Sequence, residues 1–337
     1  MPPPAPGRLA VSRIPDQAVM RGREETLAAR ENRKSLKRLL TEHEILLLHA
    51  VYDGFTVRMV ERFGYPAAFL SGAALSESRL GRPDVGLMGM DESLAACRRL
   101  AACSNLALLA DGDTGYGNAV NVYHMVQAFE DAGAAGIMIE DQVWPKRCGH
   151  MQGKSVIDAD EMVQKVRAAA AARRNPEFVI KARTDAFATH GLAETIRRLN
   201  LYGDAGADLL LADALSSEAD IATVVKGVSV PLCVNMGFGL RQRSTTPLIS
   251  ANRMKQLGVR AVIYGRMLSA SALQGLDNSL KAFEHSLLED VVTERPELLF
   301  SFEELNDLMD LQSIRELEKR FSTMSDAVPR RVPGRVQ

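Results

Sequence analysis

Eight short apolar runs recur along the chain, and they restrict its fold more than any other feature. They read ILLLHAV (45–51), AAFLS (67–71), LALLA (106–110), GIMIE (136–140), FVIKAR (178–183), DLLLA (208–212), PLCVN (231–235) and AVIY (261–264). Each is almost continuously apolar and is bounded by Gly, Pro, Asp or Asn, which is how strands buried on both faces of a parallel sheet read. Amphipathic segments lie between them. NVYHMVQAFEDAG places Val122, Met125, Val126 and Phe129 on one stripe, and AETIRRLNLYGDAG does the same with Ile196 and Leu199. Both end in Ala-Gly-Ala, where the glycine suits a left-handed helix cap. Eight βα units in roughly 240 residues match a closed (β/α)8 barrel. A doubly wound open sheet is the rival, but the sequence has neither a Walker A motif nor a GxGxxG opening a first helix.

Around a barrel over 45–290, the sequence predicts an N-terminal arm and helix over 1–44 and a C-terminal helical segment and tail over 291–337. In the latter, Ser301 and Glu304 form a possible capping box. Lys plus Arg number 41 and Asp plus Glu 42, so no basic excess favours nucleic acid or an anionic membrane. No run approaches the ~18 apolar residues of a membrane span, and the first residues lack the apolar stretch of a secretory signal. The four cysteines form no CxxC pair, which suggests a reducing, cytoplasmic setting.

In such a barrel the residues at the C-terminal ends of the strands line the active site. Asp111 and Asp113 follow the third run, beside glycines, and can offer oxygens to a hard cation, although alone they also fit an ordinary turn. Glu140 and Asp141 come at the end of the next run, and a carboxylate there would face the same mouth. Trp144-Pro145-Lys146-Arg147-Cys148-Gly149-His150 then sets a cysteine among cationic residues, which favours thiolate chemistry or proton transfer. Arg183 suits bidentate carboxylate recognition, and Asp213, Asn235, Ser71 and Gly72 end further runs. Acids, an amide, an arginine and a cysteine on one barrel face are costly without a ligand, so they read as a site.

On SGAALSESRLGRPDVGL, LLADGDTGYGN, GIMIEDQVWPKRCGH, KARTDA and SFEELNDL, the chain closely resembles the isocitrate lyase/phosphoenolpyruvate mutase superfamily, from about residue 40 to 325. The Cys-containing KRCGH loop places it among branches resembling methylisocitrate and dimethylmalate lyases and oxaloacetate hydrolases. The resemblance implies Mg2+ (or Mn2+) held by Asp111, Asp113 and Glu140, with Asp84 supporting the metal waters. It implies a substrate carboxylate on Ser71 and Gly72, an oxyanion stabilised by Arg183, and Asn235 touching the substrate. Lys146, Cys148, Gly149 and His150 would form a gating loop in which Cys148 delivers a proton. It further implies a small dicarboxylic acid substrate and a homotetramer whose eighth helix packs on a neighbouring subunit.

Two features depart from the lyase pattern. Asp213 stands where isocitrate and methylisocitrate lyases carry Glu, and the loop MGFGLRQRSTTPL after Asn235 is longer than expected. Its Arg241 and Arg243 either capture an extra carboxylate or face solvent. The expected activity is a carbon–carbon lyase on a substituted malate. Oxaloacetate hydrolysis or decarboxylation is the alternative, and a carboxyphosphonate-type mutase comes third. The presence of Asp111, Cys148 and Arg183 argues against a non-catalytic barrel.

Overall fold

The computed structural model describes residues 35–148, 153–243 and 245–322. Its strands are β1 (Leu46–Val51), β2 (Ala67–Leu70), β3 (Ala107–Asp111), β4 (Gly136–Glu140), β5 (Val179–Thr184), β6 (Leu209–Ala212), β7 (Leu232–Asn235) and β8 (Ala261–Tyr264). They pair in parallel and in chain order, and β8 closes on β1, so the sheet is a barrel with no edge. Every strand end lies within a residue of its apolar run.

The helices of the barrel unit are α1 (Leu36–Glu42), α2 (Gly54–Arg62), α3 (Gly72–Leu75), α4 (Met90–Cys103), α5 (Ala119–Asp131), α6 (Ala159–Ala172), α7 (Phe187–Asp204), α8 (Glu218–Gly227) and α9 (Ala251–Gln256). A π-helical turn, Ser76–Leu80, extends α3. The expected stripe of α5 is the observed one, because Val122, Met125, Val126 and Phe129 are all fully buried. Local sequence also sets the helix starts. Asp53 and Thr56 form a capping box on α2, and Asn118 and Asn121 form one on α5.

Helix α1 begins at Ser35, whose hydroxyl accepts from the Arg38 amide at 3.1 Å. Its Leu36, Leu39 and Leu40 join the cluster inside the barrel, together with Leu46 and Leu48. The helix thus stoppers the barrel interior. The earlier part of the expected N-terminal helix lies outside the described residues.

The period of two along each strand sorts residues between the two apolar clusters. Leu46, Leu48 and Ala50 of β1 point inward, as do Leu109 of β3, Met138 of β4, Leu211 of β6 and Ile263 of β8. Val51, Leu108, Ala110, Ile137, Ile139 and Val262 point outward and meet the helices. Alternate strands supply a layer of a barrel core. Here Phe69, Met138, Leu211 and Ile263, from β2, β4, β6 and β8, form the floor of a cavity. Continuing the alternation upward brings Asp111, Arg183 and Asn235 to the mouth from odd-numbered strands, and Ser71, Glu140, Asp213 and Gly265 from even-numbered ones.

The chain divides into compact units Met1–Asp277 and Asn278–Gln337, and the division falls inside the long helix α10 (Met267–Glu289). The second unit continues through α11 (Phe302–Leu308) and α12 (Leu311–Phe321). The expected capping box is present: the Glu304 amide donates to Ser301 Oγ at 3.1 Å, and the Ser301 amide donates to Glu304 Oε2 at 2.8 Å. Among the described residues no helix is long and apolar enough to cross a membrane.

Candidate active site

A cavity opens above the barrel floor, lined by Ser71, Asp84, Asp111, Glu140, Lys146, Arg147, Cys148, Arg183, Asn235, Arg243, Gly265 and Arg266, among others. Most of the residues singled out in the sequence therefore meet at one place. Backbone donors hold Asp111: Gly72 N donates to Oδ2 at 3.2 Å and Asp113 N to Oδ1 at 3.1 Å. Gly72 makes this possible because a Cβ there would sit 3.0 Å from Asp111 Oδ2. The Gly72 amide is thus turned onto Asp111.

Lys146 crosses between two acids, 2.5 Å from Asp84 Oδ1 and 2.7 Å from Asp113 Oδ1. Burial opposes its charge, but Asp113, Asp84, Glu140 and Asp111 outweigh burial and raise its pKa well above the usual value. It is a fixed cation and not a proton donor near neutrality. Asp113 is pushed up to about 6, first by burial and then by Asp111, with Lys146 working against both. It lies beneath the cavity lining.

Arg183 is similarly enclosed. Its guanidinium binds Asp185 in a fork, Nε to Oδ2 at 2.7 Å and Nη2 to Oδ1 at 2.9 Å. It also lies 3.2 Å from Glu140 and 3.5 Å from Asp213. Burial holds the Glu140 carboxyl well above its usual range, against the pull of Arg183. Asp213 itself is buried at 1% exposure beside Arg183, behind the lining. Its shorter side chain leaves it an ion-pair partner of that arginine and, at 4.0 Å, of Lys154.

The acid pair after β4 splits. Glu140 faces the cavity, whereas Asp141 turns outward toward α7. Asp141 accepts from Thr184 Oγ1 at 2.7 Å, the Asp185 amide at 2.9 Å, Tyr202 Oη at 2.7 Å and Arg198 Nη1 at 3.1 Å. Only one acid of the pair reaches the mouth, because neighbouring strand residues point to opposite faces.

Gln142 ties the cysteine loop to Glu140. Its Nε2 donates to Glu140 Oε1 at 3.0 Å and to the Arg147 carbonyl at 2.9 Å, and its Oε1 accepts from the Arg147 amide at 3.0 Å. The Cys148 amide donates to the Asp84 carbonyl at 3.1 Å. Gly149 and His150 lie outside the described residues. Arg241 is exposed and absent from the lining. Of the two arginines singled out in that loop, Arg243 reaches the cavity and Arg241 faces solvent.

Sequence reasoning passed over Lys154, Gln142, Glu77 and Arg266, and gave Asp185 no role. Lys154 Nζ pairs with Asp185 at 2.6 Å. Arg266 ion-pairs with Glu77, and its Nη2 lies 3.5 Å from Cys148 Sγ. Arg266 stands two residues past β8, at the position where strand-end logic looks. It could have been found by the rule applied to the other strands.

No three His, Cys, Asp or Glu side chains form a ready metal cage among the described residues. The donors still fit a hard cation. Asp111 and Glu140 present carboxylates to the cavity and Asp84 adds a third at its wall. Mg2+ takes one or two protein carboxylates and completes its shell with water, so such a set suffices, and a cation there would offset their mutual repulsion.

The family model described as phosphoenolpyruvate phosphomutase matches residues 36–284. A 2,3-dimethylmalate lyase of Eubacterium barkeri is 35% identical over 86% of this chain and 97% of its own length. The petal death protein of Dianthus caryophyllus is 36% identical over 89% of this chain and 92% of its own. Among solved structures, oxaloacetate acetylhydrolase bound to 3,3-difluorooxalacetate superposes with a TM-score of 0.79 at 30% identity, covering 86% of this chain and 97% of that one. The chain belongs to the phosphoenolpyruvate mutase/isocitrate lyase superfamily. It is an enzyme of that superfamily, whose members depend on a divalent metal.

Proposed function

We propose that this protein is a Mg2+-dependent carbon–carbon lyase that cleaves a substituted malate through an enolate-like intermediate. The observation that carries the reading is one cavity in which Asp111 and Glu140 can hold a cation while Arg183 and Cys148 line the same space. Mn2+ suits the same oxygen donors.

Asp111 and Glu140 would hold the cation, and the chemistry it would supply is Lewis-acid polarisation of the bound acid. Ser71 and Asn235 orient the acid. The C2 hydroxyl gives up its proton to solvent and becomes a carbonyl as the C2–C3 bond breaks; the electron pair of that bond moves to the leaving fragment, and Arg183 stabilises the oxyanion that forms there. Arg183 remains charged throughout, because the carboxylates of Asp185, Asp213 and Glu140 outweigh its burial. Cys148 then gives its proton to carbon. Lys146 stays a cation that keeps Asp84 and Asp113 in place. His150 belongs to the same loop by sequence.

Oxaloacetate hydrolysis is the second reading, favoured by the superposition on oxaloacetate acetylhydrolase. Product analysis by NMR with Mg2+ separates the two. A 2-oxo acid plus a second carboxylate from 2,3-dimethylmalate or a related malate supports the lyase. Oxalate plus acetate from oxaloacetate, with every malate left intact, overturns it. Cys148→Ser is expected to slow turnover about 100-fold or more while Mg2+ binding is retained. Near-normal turnover would remove Cys148 as the proton donor. We further propose a homotetramer in a cytoplasmic setting, with the apolar face of α10 covered by a second copy of the chain.

A further inference from the structure

The π-helical turn Ser76–Leu80 continues α3 and ends at Gly81, where φ is +59°. A π turn interrupts the regular helical face, and such turns gather at functional sites. Here the turn reaches two places at once. The buried Ser76 hydroxyl points between the Arg82 and Pro83 carbonyls, at 3.3 and 3.4 Å, and so sets the loop that leads into Asp84. The next residue, Glu77, ion-pairs with Arg266 just past β8. The main chain of Arg266 is fixed as well, since its amide donates to the Gly237 carbonyl at 3.0 Å.

Both supports converge on Cys148. Its amide donates to the Asp84 carbonyl at 3.1 Å, and its sulfur accepts from Arg266 Nη2 at 3.5 Å. Among the described residues Arg266 is the one side chain that hydrogen-bonds the sulfur. The nearer cations in sequence serve elsewhere: Lys146 spans Asp84 and Asp113, and Arg147 is exposed, with its main chain held by Gln142. Burial opposes the charge of Arg266, but Cys148 and Glu77 outweigh burial and raise its pKa. A permanent cation therefore faces the thiol.

We propose that Arg266, backed by Glu77, is a positioning residue that orients the Cys148 thiol and holds the thiolate left after Cys148 has protonated carbon. This rests on the lyase reading, in which Cys148 is the proton donor. In that step the S–H bond breaks, a C–H bond forms, the S–H electron pair stays on sulfur, and solvent later returns a proton to it. A hydrogen bond from a charged donor strengthens roughly twofold when its partner is ionised, so the guanidinium favours the state after transfer over the state before it. Glu77 keeps the guanidinium from following the sulfur or turning into solvent.

Alkylation by iodoacetamide tests this without turnover, because the thiolate is the reacting form. The full chain is treated with Mg2+ present and substrate absent, and each thiol is followed on its own peptide by mass spectrometry. Cys103, half-buried and donating to the Leu100 carbonyl, is the internal reference. Arg266→Gln is expected to slow alkylation of Cys148 about tenfold and to lower kcat by a similar factor, with KM little changed. Arg266→Lys recovers part of both losses, Glu77→Gln shows a smaller loss of the same sign, and Cys103 reacts as in wild type. Wild-type alkylation of Cys148 in Arg266→Gln, or slower alkylation with kcat unchanged, overturns the proposal. So does a Cys103 that reacts faster in the same variants, since the losses then reflect a loosened fold. Alkylation of Cys148 that depends on Arg266 in a protein that leaves every malate intact keeps the Arg266–Cys148 pairing and removes the lyase reading.

Discussion

Lys181 lies inside the barrel with no solvent exposure, in the same core as Leu48, Leu109 and Cys233. Its ammonium sits 3.4 Å from Cys233 Sγ and 5.7 Å from the centre of the Phe69 ring. Burial lowers its pKa, with only the Cys233 thiol and distant Asp111 opposing. The folded state therefore holds this charge less willingly than the unfolded chain, and the cost is present at neutral pH. Lys181→Met is expected to be neutral or to stabilise by ~1 kcal/mol, read as the midpoint of urea unfolding. A marked loss would show that the thiol and ring contacts outweigh desolvation. His49 presents the same physics at acid pH. It packs between Tyr65 and Tyr264, at 4.3 and 5.2 Å between ring centres, and neither ring nitrogen has a hydrogen-bond partner. Burial lowers its pKa to about 4. As pH falls below the unfolded value near 6.5, the unfolded chain takes the proton first. The His49 contribution is thus complete above pH ~6.5 and lost on the way down to about 4, worth ~3 kcal/mol. His49→Phe should flatten that part of the stability–pH curve, and an unchanged acid limb would assign the loss to other groups.

At the scale of elements, the junction of β4, β5 and α7 is held by one buried carboxylate. Asp141 gathers Thr184 and the Asp185 amide from the β5 end, and Tyr202 and Arg198 from α7. It thereby fixes the backbone that aims Glu140 and Arg183 into the cavity. Asp141→Ala would leave Arg198 partly uncompensated in a dry site, and a loss of about 3–5 kcal/mol is expected from breaking such a group. Chemical denaturation would measure it, and a change below ~1 kcal/mol would show that Glu194 and the Ile157 carbonyl, which also accept from Arg198, suffice. The loop after β7 works differently. Gly237→Ala would force a Cβ into Arg243 and strain a positive φ. It should therefore displace Arg243 from the cavity wall and lower turnover while far-UV circular dichroism stays unchanged.

Over the whole molecule, helix α10 stands out because none of its 23 residues is buried and its exposed large apolar side chains share one stripe. Leu273, Leu276, Leu280, Phe283 and Leu287 are all more than 60% exposed and recur at spacings of three and four. An exposed apolar stripe of this kind suits a partner surface. If it joins copies of the chain, replacing Leu280 and Phe283 with charged residues should reduce the mass seen by light scattering, with the barrel's circular dichroism retained. An unchanged mass would show that the stripe does not carry assembly.

The barrel itself was legible in the chain because it rests on local, periodic signals. Eight doubly buried strands read as eight apolar runs, α5 as one stripe, and Ser301 with Glu304 as a cap. The ends of the runs also exposed Ser71, Asp111, Glu140, Arg183 and Asn235, since strand ends and barrel mouth coincide in this topology. What tertiary structure alone decided was direction and pairing. It turned Asp141 away from Glu140, spent the Gly72 amide on Asp111, and matched Lys146 to Asp84 and Asp113. It also brought Arg243 and Arg266 to one wall while leaving Arg241 in solvent. Composition and period place a residue on an element, but which charge meets which depends on strand register, loop path and the space a glycine leaves, and those are set by contacts between segments distant in sequence.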